Sequence, residues 1–312
     1  MARSHDVTVV LPTKDRPVLL TQTLASVRSQ EGVTAQVIVV DDGSSVPFTD
    51  DGTSGLHVRV LRHDRPMGVS AARNHGLAEV TTPWVAFLDD DDLWGPHKLA
   101  RQLAAVTETG FRWACSASVS FSGDQVLDVT DAPLQNDLSL ELLRGNCVPG
   151  SASSVLVCAA LAREVGGFDE SLPSLEDWDL WIRLAQESRV ARVAQVDVAY
   201  RRHRRSMSHD LSDQRTALSS IQRKYRQRHP PLLVEPDVYF LHYWGRMELR
   251  SGARASGLRR LANLLVRHGH LAVLRTAVGA ALPQVAQRHL RARRLAARGT
   301  PDWDWLDPYL GT

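Results

Sequence analysis

The chain has 312 residues, 43% of them hydrophobic and 23% charged, with three scattered cysteines. That is the composition of an ordinary globular protein long enough to bury a sizeable core, and it excludes a disulfide-stapled miniprotein or a low-complexity chain. The net charge of +2 conceals a divided chain: residues 211–312 carry 17 basic and 7 acidic side chains, the first 210 carry 20 basic and 28 acidic, and opposite balances predict two structural units.

In chain order, "VTVVLP" (Val7–Pro12) is a continuous β-branched run, expected to form a strand buried on both faces. Pro17 opens a helix through about Gln30, with Leu20, Leu24 and Val27 on one face. "QVIVVDDGSS" reads as a second buried strand ending in a turn, "HVRVLRH" as a third strand, "VSAARNHGLAEV" as a helix and "WVAFL" as a fourth strand. Pro96 starts another helix through about Thr109. This alternation predicts an α/β, doubly wound, mostly parallel sheet, whose ligands lie beyond the carboxyl ends of the strands. Three polar clusters, "TKDR", "DDGSS" and "DDDD", follow three strand ends and should converge on one edge.

Between about Phe111 and Arg205 strands and helices mix. "SSVLVCAA" suggests a strand, "GGFDE" a turn, "EDWDLWIRLAQES" a helix with Trp178, Trp181, Ile182 and Ala185 on its apolar side, and "VDVAYRRH" a late strand. From about Leu211 the pattern is helical, with two helices joined near Ser251–Gly252 and an apolar stripe of Leu258, Leu261, Leu264 and Leu265 on the second. The opening "MARSHDVTVVLPT" lacks the apolar segment of a signal peptide. The nearest approach to a membrane span, Leu271–Ala286, is interrupted by Arg275 and Pro283. With three spread-out cysteines and no legible disulfide framework, a reducing cytoplasm is the expected compartment. The basic C-terminal region, "QRHLRARRLAARG" above all, suits peripheral contact with an anionic inner membrane face, or equally a solvated cover on the rest of the chain. No nucleic-acid-binding module is visible.

The chemistry concentrates at "PWVAFLDDDDLWGP". Four adjacent carboxylates at the end of a buried strand repel one another, and Trp94 and Pro96 hold the loop close. A solvated loop is the bland alternative. A hard divalent cation, Mg²⁺ or Mn²⁺, would offset the crowding, and a protein that holds Mg²⁺ by only one or two carboxylates shares it with substrate phosphates.

With "VVLPTKDRP", "VIVVDDGSS", "RPMGVSAARNHGL", "WVAFLDDDDLWGPHKL", "GGFDE", "EDWDLWIRL" and "YRRHRRSMS" in this order, the chain resembles family 2 glycosyltransferases of the GT-A fold across roughly residues 6–209. Asp15 stands where that family more often has Asn. The resemblance implies a GT-A catalytic domain over 1–210, with a nucleotide-sugar part to about 110 and an acceptor part beyond it, then a helical region over 211–312. It implies an inverting transfer from a nucleotide-diphosphate sugar, UDP- or dTDP-linked, to a hydroxyl acceptor. It assigns the donor nucleotide to Thr13, Asp15, Asp41, Asp42 and Arg73, and the metal to Asp89 and Asp91. Asp90, like Asp92, could shift that register and is placed with the donor. Asp177, next to Glu176, is the implied base that takes the acceptor proton, its pKa raised by like-charge neighbours. His203 is a secondary metal or diphosphate candidate. Against these stand plainer roles: a turn cap for Asp41–Asp42, a surface ion pair for Arg73, the acidic first turn of a helix for Glu176 and Asp177. Two other functions stay open, a sugar-nucleotide-forming nucleotidyltransferase and a noncatalytic carbohydrate-binding protein. The first normally needs a Gly-rich loop after the first strand, and "LPTKDRPVLL" has no glycine.

Overall fold

The computed structural model describes residues 7–50, 52, 55–202, 211–228, 230–236, 238–250, 254–268 and 303–311. His203, the segment Leu271–Ala286 and "QRHLRARRLAARG" lie outside them.

The β-branched runs form one large sheet. Its first half comprises β1 (Val7–Thr13), β2 (Ala35–Asp41), β3 (His57–Arg62) and β4 (Trp84–Phe87), all parallel in the order β3-β2-β1-β4. Crossover helices α1 (Pro17–Arg28) and α2 (Val69–Ala78) join them, and α3 (Lys98–Thr109) follows. Alternation explains why β1 is apolar at nearly every position. Val7, Val9 and Leu11 enter the core layer beneath α1 and α3, while Val10 enters the opposite layer. Each fully buried aliphatic side chain contributes about 1.5–3 kcal/mol.

Beyond β4 the sheet is mixed. The two-residue strand β5 (Leu93–Trp94) is the far edge. Inward from it come β9 (Val190–Arg201), β6 (Trp113–Ser122) and β8 (Val155–Cys158), with β7 (Gln125–Thr130) hung on β6. β8 runs against both β4 and β6, and β9 runs parallel to β6. The doubly wound expectation therefore holds in the first half, and the reversal at β8 mixes the second.

The expected helix near residue 176 is α5 (Glu176–Glu187), preceded by the short α4 (Ala159–Glu164). All four of its predicted apolar residues are buried; Trp181 stacks on Trp113 at 6.1 Å between ring centres, and Trp178 meets Phe240. Both tryptophans are thus core residues. The next helix, α6 (Leu211–Arg226), places Ala217, Leu218, Ile221 and Tyr225 in the same core. Then α7 (Val238–Arg250) and α8 (Arg254–His268) pack as a pair through Leu261 and Leu264, and Leu265 lies at its border. Leu258 departs from the predicted stripe: it is 54% exposed. Residues 303–311 return to the sheet edge. There Leu306 is fully buried beside Leu93 and Phe121, and the Trp305 indole N–H donates to the Val196 carbonyl at 3.1 Å. Among the described residues no helix is long and apolar enough to cross a membrane.

Candidate active site

The three polar clusters meet at the carboxyl end of β1, β2 and β4, as their strand-end positions predict. They form one wall of a cleft of about 1070 Å³. The opposite wall comes from β6, β9, the loop before β8 and the first turn of α5.

In the β1 loop, the Thr13 hydroxyl donates to Asp90 Oδ2 at 2.8 Å, fastening the first loop to the third. Asp15 is exposed and holds a left-handed backbone, φ 54°. Its N–H donates to Ser44 Oγ and its carboxylate accepts from the Ser45 N–H at 2.7 Å. Asp15 thus stitches the first loop to the second and stands outside the cleft lining.

The two aspartates of the β2 loop diverge. Asp41 is fully buried, accepts from the Ser44 and Phe48 backbone N–H groups and from the Arg62 guanidinium, and does not line the cleft. Its carboxylate caps the turn, the plainer of the two roles open to it. Gly43 makes that turn possible: its φ is +70°, and a Cβ there would lie 2.7 Å from the Pro66 nitrogen. Asp42 does line the cleft. It accepts from the Met67 and Gly68 N–H groups, at 2.7 and 2.9 Å, and lies 2.7 Å from His63 Nδ1.

The structure sorts the four consecutive aspartates by direction. Asp89, Asp90 and Asp91 line the cleft; Asp92 is fully buried and points inward. Asp92 accepts from the Ser153 hydroxyl at 2.6 Å and from the Arg201 N–H at 3.0 Å, and burial pushes its carboxyl well up. Burial also raises Asp90 to about 6, against the pull of Arg16. Asp91 accepts from Arg16 Nη1 at 2.9 Å, and Asp89 from Arg73 Nη2 at 2.5 Å. Trp94 anchors the loop as expected: it is buried, and its indole N–H donates to the Ser153 carbonyl at 2.7 Å.

Arg73 is no surface residue. It is buried in α2, over the Phe168 ring, and its second nitrogen donates to Glu176 Oε1 at 2.8 Å. One guanidinium thereby spans from the aspartate loop to the base candidate's neighbour. α5 begins from Leu175 in a left-handed conformation, φ 58°, a strained start for a branched side chain. Asp177 follows, half-buried in the cleft wall; its carboxylate accepts from its neighbour's Trp178 N–H at 2.7 Å, with the Asn146 amide 3.4 Å away. Burial, and after it repulsion from Glu176, raises Asp177 to about 7.

The sequence alone did not single out Arg16 as a site residue, nor Asn146, Ser153 or Gln214. Arg16 lies in the "TKDR" cluster and is detectable there; Asn146 sits in a stretch without pattern, and Ser153 and Gln214 sit in an expected strand and an expected helical stretch whose apolar patterns do not announce a site. Among the described residues no group of three or more His, Cys, Asp or Glu side chains is arranged to hold a metal. Asp89 and Asp91 both line the cleft, and two carboxylates of this kind could hold Mg²⁺ or Mn²⁺ with phosphate oxygens and water completing the shell.

The family model Glycosyl transferase family 2 matches residues 8–161. Over 284 residues the chain is 31% identical to the pre-mycofactocin glycosyltransferase of Mycobacterium tuberculosis (strain ATCC 25618 / H37Rv), covering 84% of this chain and 56% of that protein. The chain thus spans little more than half the length of that relative. It is 29% identical over 322 residues to the succinoglycan biosynthesis protein ExoO of Rhizobium meliloti (strain 1021), covering 94% of this chain and 88% of ExoO. Among solved structures, S. aureus TarS 1-349 in complex with UDP-GlcNAc matches with a TM-score of 0.59 at 18% identity, over 88% of this chain and 79% of that one. The mannosyltransferase PcManGT from Pyrobaculum calidifontis, in complex with GDP-Man and Mn²⁺, matches with a TM-score of 0.51 at 19% identity, over 96% and 87%. These two likenesses carry the fold.

Proposed function

The chain belongs to glycosyl transferase family 2, and on that premise we propose that it transfers a sugar, with inversion, from a nucleotide-diphosphate donor to a hydroxyl acceptor. The observation that carries this reading is the pairing within one cleft: cleft-facing Asp89 and Asp91 on one wall, and on the other a carboxylate raised to about 7. A general base works best with a pKa near the operating pH.

In this reading Asp42 and Thr13 flank the nucleotide. Asp42 already takes two backbone N–H groups, and a carboxylate's remaining lone pair suits an imide N–H of a base. Asp89 and Asp91 would hold the cation, which when bound neutralises the charge developing on the leaving diphosphate. Asp177 accepts the acceptor's hydroxyl proton as that oxygen bonds to the anomeric carbon. The bond to the diphosphate oxygen breaks on the opposite side, and its electron pair leaves with the nucleotide. Arg73 holds Glu176 in place beside Asp177 through a 2.8 Å ion pair, and Asn146 steadies the Asp177 carboxylate's orientation. Ser118, Ser120 and Gln214 line the space the acceptor would occupy with hydroxyl and amide groups.

The test is Asp177→Asn, after a panel of UDP-, dTDP- and GDP-sugars has identified the donor by nucleoside diphosphate release. The variant should bind donor as the parent does and lose at least about 10²-fold in turnover. A near-parental rate would remove Asp177 from the mechanism.

A further inference from the structure

A single nitrogen of Arg16 bridges two carboxylates of the aspartate loop. Nη1 lies 2.9 Å from Asp90 Oδ1 and 2.9 Å from Asp91 Oδ2. The backbone of Arg16 is fixed between the end of β1 and Pro17, the first residue of α1. Its side chain is nevertheless 31% exposed, whereas that of Arg73, clasped between Asp89 and Glu176, is 2% exposed. Among the described residues the guanidinium groups of Arg16 and Arg73 meet the side chains of the three cleft-facing aspartates, and of these two Arg16 has the greater room to leave.

We propose that Arg16 is the resident counter-cation of the aspartate loop: it competes with a divalent ion for Asp91 and yields when a nucleotide diphosphate arrives with that ion. The inference rests on the metal-assisted donor binding proposed above. A guanidinium and a divalent cation cannot occupy the same carboxylate edge without strong repulsion, so entry of the ion at Asp91 must displace Arg16. Alone, the ion exchanges one cation for another at a loop whose charge is already largely met, and gains little. With a diphosphate present the balance changes. The phosphates add negative charge beside the loop and offer the displaced guanidinium a planar, bidentate partner, which arginine suits better than lysine. Pro12, Thr13 and Lys14 line the cleft beside Arg16, so the side chain need only turn about its own stem to reach a ligand there. Metal and nucleotide binding are then coupled through Arg16, and the empty protein is protected from picking up stray divalent ions.

The experiment is a Mn²⁺ titration of the full chain, with free ion read from its electron spin resonance signal. It compares the parent, Arg16→Met and Arg16→Lys, with Mn²⁺ alone, with UDP and, in parallel, with GDP. Thermal melts of each protein report on folding, and the lysine variant carries the test if the methionine one is unstable. Arg16→Met should bind Mn²⁺ alone about fivefold tighter than the parent, the strength of a half-buried ion pair lost, and should gain less from nucleotide. Arg16→Lys should fall between. Equal Mn²⁺ affinity in parent and variants without nucleotide would overturn the role of Arg16 and leave metal-assisted donor binding standing. A parent that takes up no Mn²⁺ with either nucleotide would overturn the metal reading itself, and this inference with it.

Discussion

The two walls of the cleft carry the same functional group under opposite treatment. On the sheet wall, guanidinium groups meet Asp89 and Asp91, from Arg73 and Arg16 respectively. On the helix wall, Arg73 reaches Glu176, while the Asp177 carboxylate is met by a backbone N–H and a distant amide. A carboxylate already met by one cation is placed to exchange it for another; burial beside a like charge raises a carboxylate's pKa and suits it to take a proton. On the proposed reading, neighbours and not residue type separate a cation-holding role from a basic one.

The largest expected effect falls on the sheet wall. Asp91→Ala should abolish Mn²⁺-stimulated donor binding, measured by calorimetry, while Asp177→Asn leaves it in place; a variant at Asp91 that still responds to Mn²⁺ would erase the division between the walls. A chelator that leaves the parent's turnover untouched would do the same. A smaller effect sharpens the helix wall. Asp177 must be deprotonated to accept a proton, so turnover at saturating donor should rise with pH and level off above about 7. Below that it should fall about tenfold per unit. A flat profile between pH 5 and 8 would assign the limiting step elsewhere. The smallest effect concerns the helix that serves both walls. Gly76 lets α2, which carries Arg73, lie against β1; a Cβ at that position would lie 2.4 Å from Val10 Cγ1. Gly76→Ala should cost about 1–3 kcal/mol of stability in a denaturant melt, the usual penalty of overpacking. An unchanged midpoint would mean that the α2–β1 contact gives way easily.

The sheet wall was largely legible in the sequence, because its strands are short, continuously apolar and each ends in a polar cluster. Position along a parallel strand then fixes which edge a loop occupies. The direction of each aspartate was not legible. It depends on partners such as Arg73, 16 residues away, and Arg201, 109 residues away, that no local pattern announces. Asp41 and Asp42 illustrate the point: adjacent and chemically identical, one caps a turn and the other faces the cleft. The second half of the sheet was harder for a different reason. β6 alternates serines with apolar residues, a pattern of a strand with one wet face, yet Ser116, Ser118 and Ser120 are all buried. Two of them line the cleft, so the polar face looks into the site rather than out to bulk water. β5, two residues long, offers no periodicity at all.

Residues 303–311 give the fold a clasp at the site's back door. β5 begins one residue after the last aspartate, and what steadies its outer flank is the returning segment, with Leu306 wedged beside Leu93 and Trp305 close over Gly95. Trimming that segment would strip an apolar edge bare within a few residues of the aspartate loop. Anyone deleting or tagging residues 303–311 is therefore working next to the candidate cleft although the numbering suggests a remote appendage.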